Sequence, residues 1–338
     1  MFIFSRALLV GGIIVPQSTS LTVCHISAFH YLTSPRRNNP YSFVDRERYT
    51  SLVKSVMSFK VSYQTPETLQ AEDDQVYGPV VKAPMPSRAA RTPKTLHPFL
   101  NSERSPETEE YSESGLPVRI ALNRGRSFAP SVTRILQQTL SPEQIFYLER
   151  WKRRMIAEHG EEGFKEYSQT LFRQGKLFHS ALEKILENRS LSETPDSAPE
   201  VQGYLRSISH ILEDVRAVRA IESTVQHATL NYLGIVDCVA RYRGVLCVID
   251  WKTSEKPKPF LSNTYDNPVQ VAAYAGALNN DGNYNYQVEN GLIVVAYKDG
   301  TPAHAHRINS DMMSEYWKAW LLRFEDYNEQ RSSSSEKR

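Results

Sequence analysis

The sequence predicts a mixed α/β domain. Three observations carry that prediction: a series of amphipathic helices from about residue 130 to 215, a meander of short apolar strands from 217 to 251, and a closing order of helix, strands and helix. The chain has 338 residues, 40% hydrophobic and 23% charged, which suffices for one large domain or two ordinary ones.

Each element has its signal. Pro130-Ser131-Val132-Thr133-Arg134-Ile135-Leu136 is a short apolar segment. Ser141-Pro142-Glu143-Gln144 starts a helix, with an N-cap serine, proline at the first helical position and Gln144 where a capping box needs it. Ile145, Leu148, Trp151 and Met155 then recur at helical spacing. Phe164, Tyr167, Leu171, Phe178, Leu182 and Ile185 mark a second helix, and Val201, Tyr204, Leu205, Ile208, Leu212 and Val215 a third. Strands follow at about 217–225, 232–240 and 245–251, a helix at 267–279, strands at 292–297 and 304–308, and a last amphipathic helix with Met313, Trp317, Trp320 and Phe324. Nothing repeats internally.

The ends read differently. Residues 1–44 hold Arg6, Arg36 and Arg37, many hydroxyls, an apolar stretch from Ala7 to Val15, and no acid before Asp45. That is the signature of a mitochondrial transit peptide. A secretory signal competes, as does a disordered tail with no address, but the arginine-bearing polar continuation and only three cysteines (Cys24, Cys238, Cys247) favour the mitochondrion, with the matrix as destination. Residues 45–115, rich in proline and without apolar period, read as a disordered or loosely packed linker, and 331–338 as a disordered tail. No run is long and apolar enough for a membrane span.

The net charge of +2 is weak evidence for a nucleic-acid partner, because the three presequence arginines account for it. Residues 45–115 hold nine basic and eleven acidic residues, so the expected domain is near +1. A polyelectrolyte clamp is excluded.

The chemistry lies in Leu233–Thr253. Two apolar strands flank Arg241-Tyr242-Arg243-Gly244, and a hairpin turning at Arg243-Gly244 sets Asp237 directly opposite Asp250. Their Cβ atoms would lie roughly 4.5–5.5 Å apart. Lys252, two residues on, points to the same face. Paired carboxylates among Ile235, Val236, Val248 and Ile249 need a shared proton or a cation, and oxygen ligands so spaced suit Mg²⁺ or Mn²⁺. Asp-x-Lys alone also describes a buried ion pair. The opposing acid brings the metal site level with it.

Two further pieces belong to helices. Gly175, His179 and Glu183 share one helix face, where the glycine admits a close neighbour and the imidazole offers a further ligand. Gln270 and Tyr274, also four apart, can hold a lysine or a phosphate. Taken alone, each set more often describes an ordinary helix face.

Taken in order, Gly175…His179, Gly234…Asp237, Asp250-Trp251-Lys252 and Gln270…Tyr274 resemble the motifs of the RecB-like branch of the PD-(D/E)XK nucleases. The opening Pro130–Leu136 segment resembles the start of such domains. The resemblance implies a restriction-endonuclease-like core over 116–330, a mixed central sheet flanked by helices, with a helical N-terminal part. It implies that Asp237, Asp250, the Trp251 carbonyl and His179 bind Mg²⁺ or Mn²⁺, that Lys252 positions the attacking water, and that Gln270 and Tyr274 support Lys252 or the phosphate. It implies a monomeric exonuclease on single-stranded DNA with a free end, trimming 5′ flaps beside the mitochondrial replication machinery. Arg134, Trp151, Lys152, Arg153, Arg154 and Lys176 are candidates for DNA contact, though each also fits a solvated helix face. Glu222, Lys256 and Lys258 carry no assigned role. Two other readings stay open: an inactive nuclease-like binding module, and a nuclease acting on RNA or in repair.

Overall fold

The computed structural model describes residues 91–104, 116–122, 129–188 and 199–335. The transit-peptide expectation and Cys24 lie outside them.

A five-stranded sheet runs β1 (Val215–His227), β2 (Tyr232–Tyr242), β3 (Val245–Ser254), β4 (Asn290–Tyr297) and β5 (His304–Ile308), in that order across the sheet. Pairing is antiparallel except between β3 and β4, which are parallel and joined by helix α4 (Asn267–Asn280). Arg243 (φ 50°) and Gly244 (φ 82°) both take left-handed backbone, as a two-residue hairpin turn requires. The resulting register pairs Tyr242 with Val245 and Cys238 with Ile249, as the sequence predicts.

Two apolar layers cover the sheet. One face packs against α1 (Val132–Gln138), α4 and α5 (Ser310–Ser335). The other packs against the second arm of α2 (Pro142–Asn188) and α3 (Gln202–Leu212). Helix α2 breaks at Gly160 (φ 74°, ψ 171°), a conformation that suits glycine, so the two expected helices are the arms of a hairpin. Trp151 and Met155 on the first arm meet Phe164 on the second, in a cluster separate from the sheet's cores. Ser141 and Gln144 form the expected reciprocal cap. No described helix is long and apolar enough to cross a membrane.

Two expectations need correction. Residues 91–104, read as linker, lie bound along α4 and α5. Arg91 pairs with Asp326 at 2.6 Å, Trp317 donates its indole N–H to the His97 carbonyl at 2.7 Å, and Phe99 meets the Trp317 ring at 5.8 Å. Arg104 reaches the carbonyls of Leu278 and Asp281. The segment has no period of its own because its partners are on other elements. Helix α5 also continues to Ser335, into the expected tail, with Ser332 and Ser333 hydrogen-bonding the carbonyls one turn back.

Candidate active site

The site forms where β2 and β3 part. Their last ladder pair is Cys238–Ile249. Beyond it β2 continues along β1 to Tyr232, while β3 continues along β4 to Ser254. The N-terminal segment fills the gap beside β2: the Leu233 amide donates to the Pro130 carbonyl at 3.0 Å. Asp237 and Asp250 stand at the mouth of this fork, one step past the last pair, both buried.

Each acid uses one oxygen locally. Asp237 Oδ2 accepts from the Trp251 amide at 2.9 Å. Asp250 Oδ1 accepts from Lys252 Nζ at 2.8 Å. The other oxygens, Asp237 Oδ1 and Asp250 Oδ2, are buried without a hydrogen-bond partner. Burial pushes both carboxyls above their ordinary range. For Asp237 the neighbouring His179 opposes that rise and Glu222 adds to it. For Asp250 Lys252 opposes it and Asp237 adds to it. Buried acids with orphaned oxygens are the situation a divalent cation resolves, so these residues fit Mg²⁺ or Mn²⁺.

Glu222 joins them. His179 Nδ1 is 3.4 Å from Glu222 Oε1 and 3.9 Å from Asp237 Oδ2. One ligand atom from each of the three lies within 4.8 Å of the others. Asp250 stands outside this trio, turned to Lys252. The Glu222 side chain is 8% exposed, and its Oε2 has no hydrogen-bond partner. Glu222 takes φ 42°, and the strand's face changes there: Ile221 belongs to the α2–α3 layer, whereas Val225 belongs to the α4 layer.

Helix α4 closes the other side. Gln270 Nε2 donates to the Tyr274 hydroxyl at 2.8 Å, and both side chains are buried. The Tyr274 ring lies over Gly234, where a Cβ would come within 2.6 Å of Cδ1. The glycine of that motif therefore serves the tyrosine of another. Gly175 is less demanding: a Cβ there would touch Thr253 Oγ1 at an ordinary 3.7 Å. Glu183, on the face shared with His179, is taken by Arg119.

The DNA-contact candidates separate. Arg134 is 3% exposed inside α1, so it offers no surface cation. Trp151 packs edge-on to Phe164 and closes the α2 hairpin. Lys152 and Lys176 are half-buried, Arg153 is exposed but pairs with Glu149, and Arg154 faces Glu158. The hairpin is tied beside the fork at both arms: Gln144 donates to Asp266 and Tyr167 donates to Glu255.

A strand fork carrying two acids and a lysine, with a helical histidine beside it, is the arrangement of a metal-dependent phosphodiesterase. The model of the PD-(D/E)XK nuclease superfamily matches residues 139–327. Among curated proteins, mitochondrial genome maintenance exonuclease 1 of Mus musculus is 52% identical over 313 residues, covering 91% of this chain and 90% of its own length. The protein of that name from Homo sapiens is 51% identical (89% and 87% covered), and that from Xenopus tropicalis 47% (89% and 88%). The chain belongs to the PD-(D/E)XK nuclease superfamily and, within it, to this family of mitochondrial exonucleases.

Proposed function

We propose that the chain is a divalent-metal-dependent exonuclease that hydrolyses single-stranded DNA from free ends in the mitochondrial matrix, processing 5′ flaps beside the replication machinery. The observation that carries this reading is the pair of partnerless buried oxygens, Asp237 Oδ1 and Asp250 Oδ2, at the mouth of the strand fork.

Asp237, Asp250, the Trp251 carbonyl and His179 would hold Mg²⁺ or Mn²⁺, and Glu222 is placed to add a carboxylate. The bound cation supplies neutralisation of charge on the scissile phosphate. Lys252, held on Asp250, keeps an ammonium donor beside the attacking water and the developing oxyanion. Gln270 and Tyr274 brace the phosphate side of the fork. The α2 hairpin, with Lys152, Arg153 and Lys176, stands where a strand enters.

The test uses purified protein with end-labelled linear and circular single strands, in Mg²⁺ and in EDTA. Linear strands are shortened from an end in Mg²⁺ alone, circles persist, and Asp250→Ala is inactive. Degradation by Asp250→Ala, or rapid opening of circles, contradicts the proposal.

A further inference from the structure

The loop from β3 to α4 carries features that the metal site does not use. Residues 255–266 leave the strand of Asp250 and Lys252 and enter the helix of Gln270 and Tyr274. The loop thus borders the site along the chain on both sides.

The loop is pinned throughout. The Lys258 amide donates to the Tyr297 hydroxyl at 2.8 Å, and the Lys258 carbonyl lies 2.8 Å from His306 Nε2. The Phe260 amide donates to the Asn263 side chain at 3.1 Å. Asp266 is held by Gln144 at 2.7 Å and by Arg323 at 3.0 Å.

A loop so fastened nevertheless turns apolar rings to solvent. Phe260 is 68% exposed and Tyr265 74%. Among the described residues only one other phenylalanine, tyrosine or tryptophan is exposed, Tyr147 at 53%. It lies one helical turn beyond Gln144, the residue that grips Asp266. Tyr147 therefore stands on the turn of α2 that is tied to the end of this loop. Tyr265 also takes φ 54°, a left-handed backbone that bulky residues rarely adopt.

The charges around the rings identify the occupant. Lys258 Nζ sits 4.8 Å from the centre of the Tyr265 ring, and Lys256 is exposed two residues earlier. Flat rings interleaved with ammonium groups match a single nucleic-acid strand, whose bases offer faces and whose phosphates offer charge. A duplex keeps those faces stacked inside.

We infer that Phe260, Tyr265 and Lys258 form a stacking platform that holds the bases of a single strand beside the reacting phosphate, with Tyr147 extending it. This rests on the reading of single-stranded DNA as the substrate. It makes base unstacking, rather than the metal site, the source of strand selectivity. Removing one ring weakens single-strand binding by roughly five- to 160-fold, the range for one base–aromatic stack.

The experiment measures fluorescence anisotropy of labelled oligo-dT and of an abasic strand of equal length, in EDTA so that nothing is cut. Full-length wild type is compared with Phe260→Ser, Tyr265→Asn and Tyr265→Phe. Both rings are on the surface, so their removal leaves no cavity, and the Tyr265 backbone already carries a non-glycine residue, so these variants fold. Oligo-dT binding weakens in the first two and returns in Tyr265→Phe. The abasic strand binds weakly to all four. In Mg²⁺ the two weak binders show a raised KM with kcat within about twofold of wild type. Unchanged oligo-dT affinity in the variants, or equal wild-type affinity for both strands, overturns the platform and leaves this loop to a protein partner. A wild type that degrades duplex ends but not single strands instead refutes the substrate reading, whatever the loop variants do.

Discussion

The backbone amide of Trp251 is hydrogen-bonded to Asp237 Oδ2 at 2.9 Å, across the point where β2 and β3 cease to pair. A side chain thus replaces the next rung of the ladder and fixes the fork's width. It also aims Asp237 Oδ1 away from the backbone. Asp237→Asn keeps an acceptor for Trp251 but loses the charge. The expected result is a folded protein whose kcat falls by on the order of 10² or more, with Mn²⁺ binding lost by calorimetry. Wild-type Mn²⁺ affinity in this variant would remove Asp237 from the ligand set.

Lys252 is 2.8 Å from Asp250 and serves the reaction rather than the cation. Lys252→Met therefore separates the two. It should lower kcat by roughly 10²–10⁴, the range for a positioned acid–base group, without weakening Mn²⁺ binding. Parallel loss of both, measured by single-turnover kinetics and calorimetry, would make Lys252 part of the scaffold.

Burial raises the Asp250 carboxyl above its unfolded value, so the folded state binds a proton that the unfolded state has already released. Stability from this group is present at acid pH and declines as pH rises from near 4 through the raised folded value. His227 acts oppositely: burial pushes its imidazole down to about 4, so its contribution grows as pH rises from there to about 6.5. Comparing variants isolates Asp250. In EDTA, Asp250→Asn should melt higher than wild type at pH 7, and the difference should vanish at pH 4. Added Mn²⁺ should stabilise wild type at pH 7 and leave the variant unchanged. A variant that melts lower than wild type at pH 7 in EDTA would show that the pair with Lys252 outweighs the cost of burial.

The hairpin was legible because turn chemistry sets register, and register alone placed Asp237 against Asp250. Helical spacing put His179 on a face with Gly175 and paired Gln270 with Tyr274, but only the order of the motifs along the chain singled them out. Glu222 was not, because alternation along β1 breaks at its own positive φ. A second hairpin registered from His227 and Tyr232 would have set it opposite Asp237. Arg134 misled because composition does not distinguish an arginine drawn into a helix core from one on a surface. Residues 91–104 were illegible for a third reason: an extended strap takes its bonds from distant carbonyls and indoles, which leave no local pattern.

Gly234 and Tyr274 are coupled by contact, since a Cβ at 234 would meet the tyrosine ring. Gly234→Ala overpacks the seam between β2 and α4 and should cost about 1–3 kcal/mol in urea unfolding. Tyr274→Leu should cost a similar amount through lost packing. The double variant should be less destabilised than the sum of the two, because the smaller side chain makes room for the methyl. Additive losses would show that the ring does not rest on the glycine.

The strap offers a graded test of what docks it. Phe99 lies half-buried against Trp317, so Phe99→Ala should destabilise by about 1–2 kcal/mol, below the full-burial range. Arg91→Ala should be destabilising as well, because it strands Asp326, which is only 6% exposed. Lys94 pairs with Glu329 in open solvent, and Lys94→Ala should leave the melting temperature unchanged. Limited proteolysis between residues 91 and 104 should follow the same order, fastest in Phe99→Ala and no faster than wild type in Lys94→Ala. The reverse order would mean that charge, rather than the apolar contact and the buried acid, fastens the strap to α5.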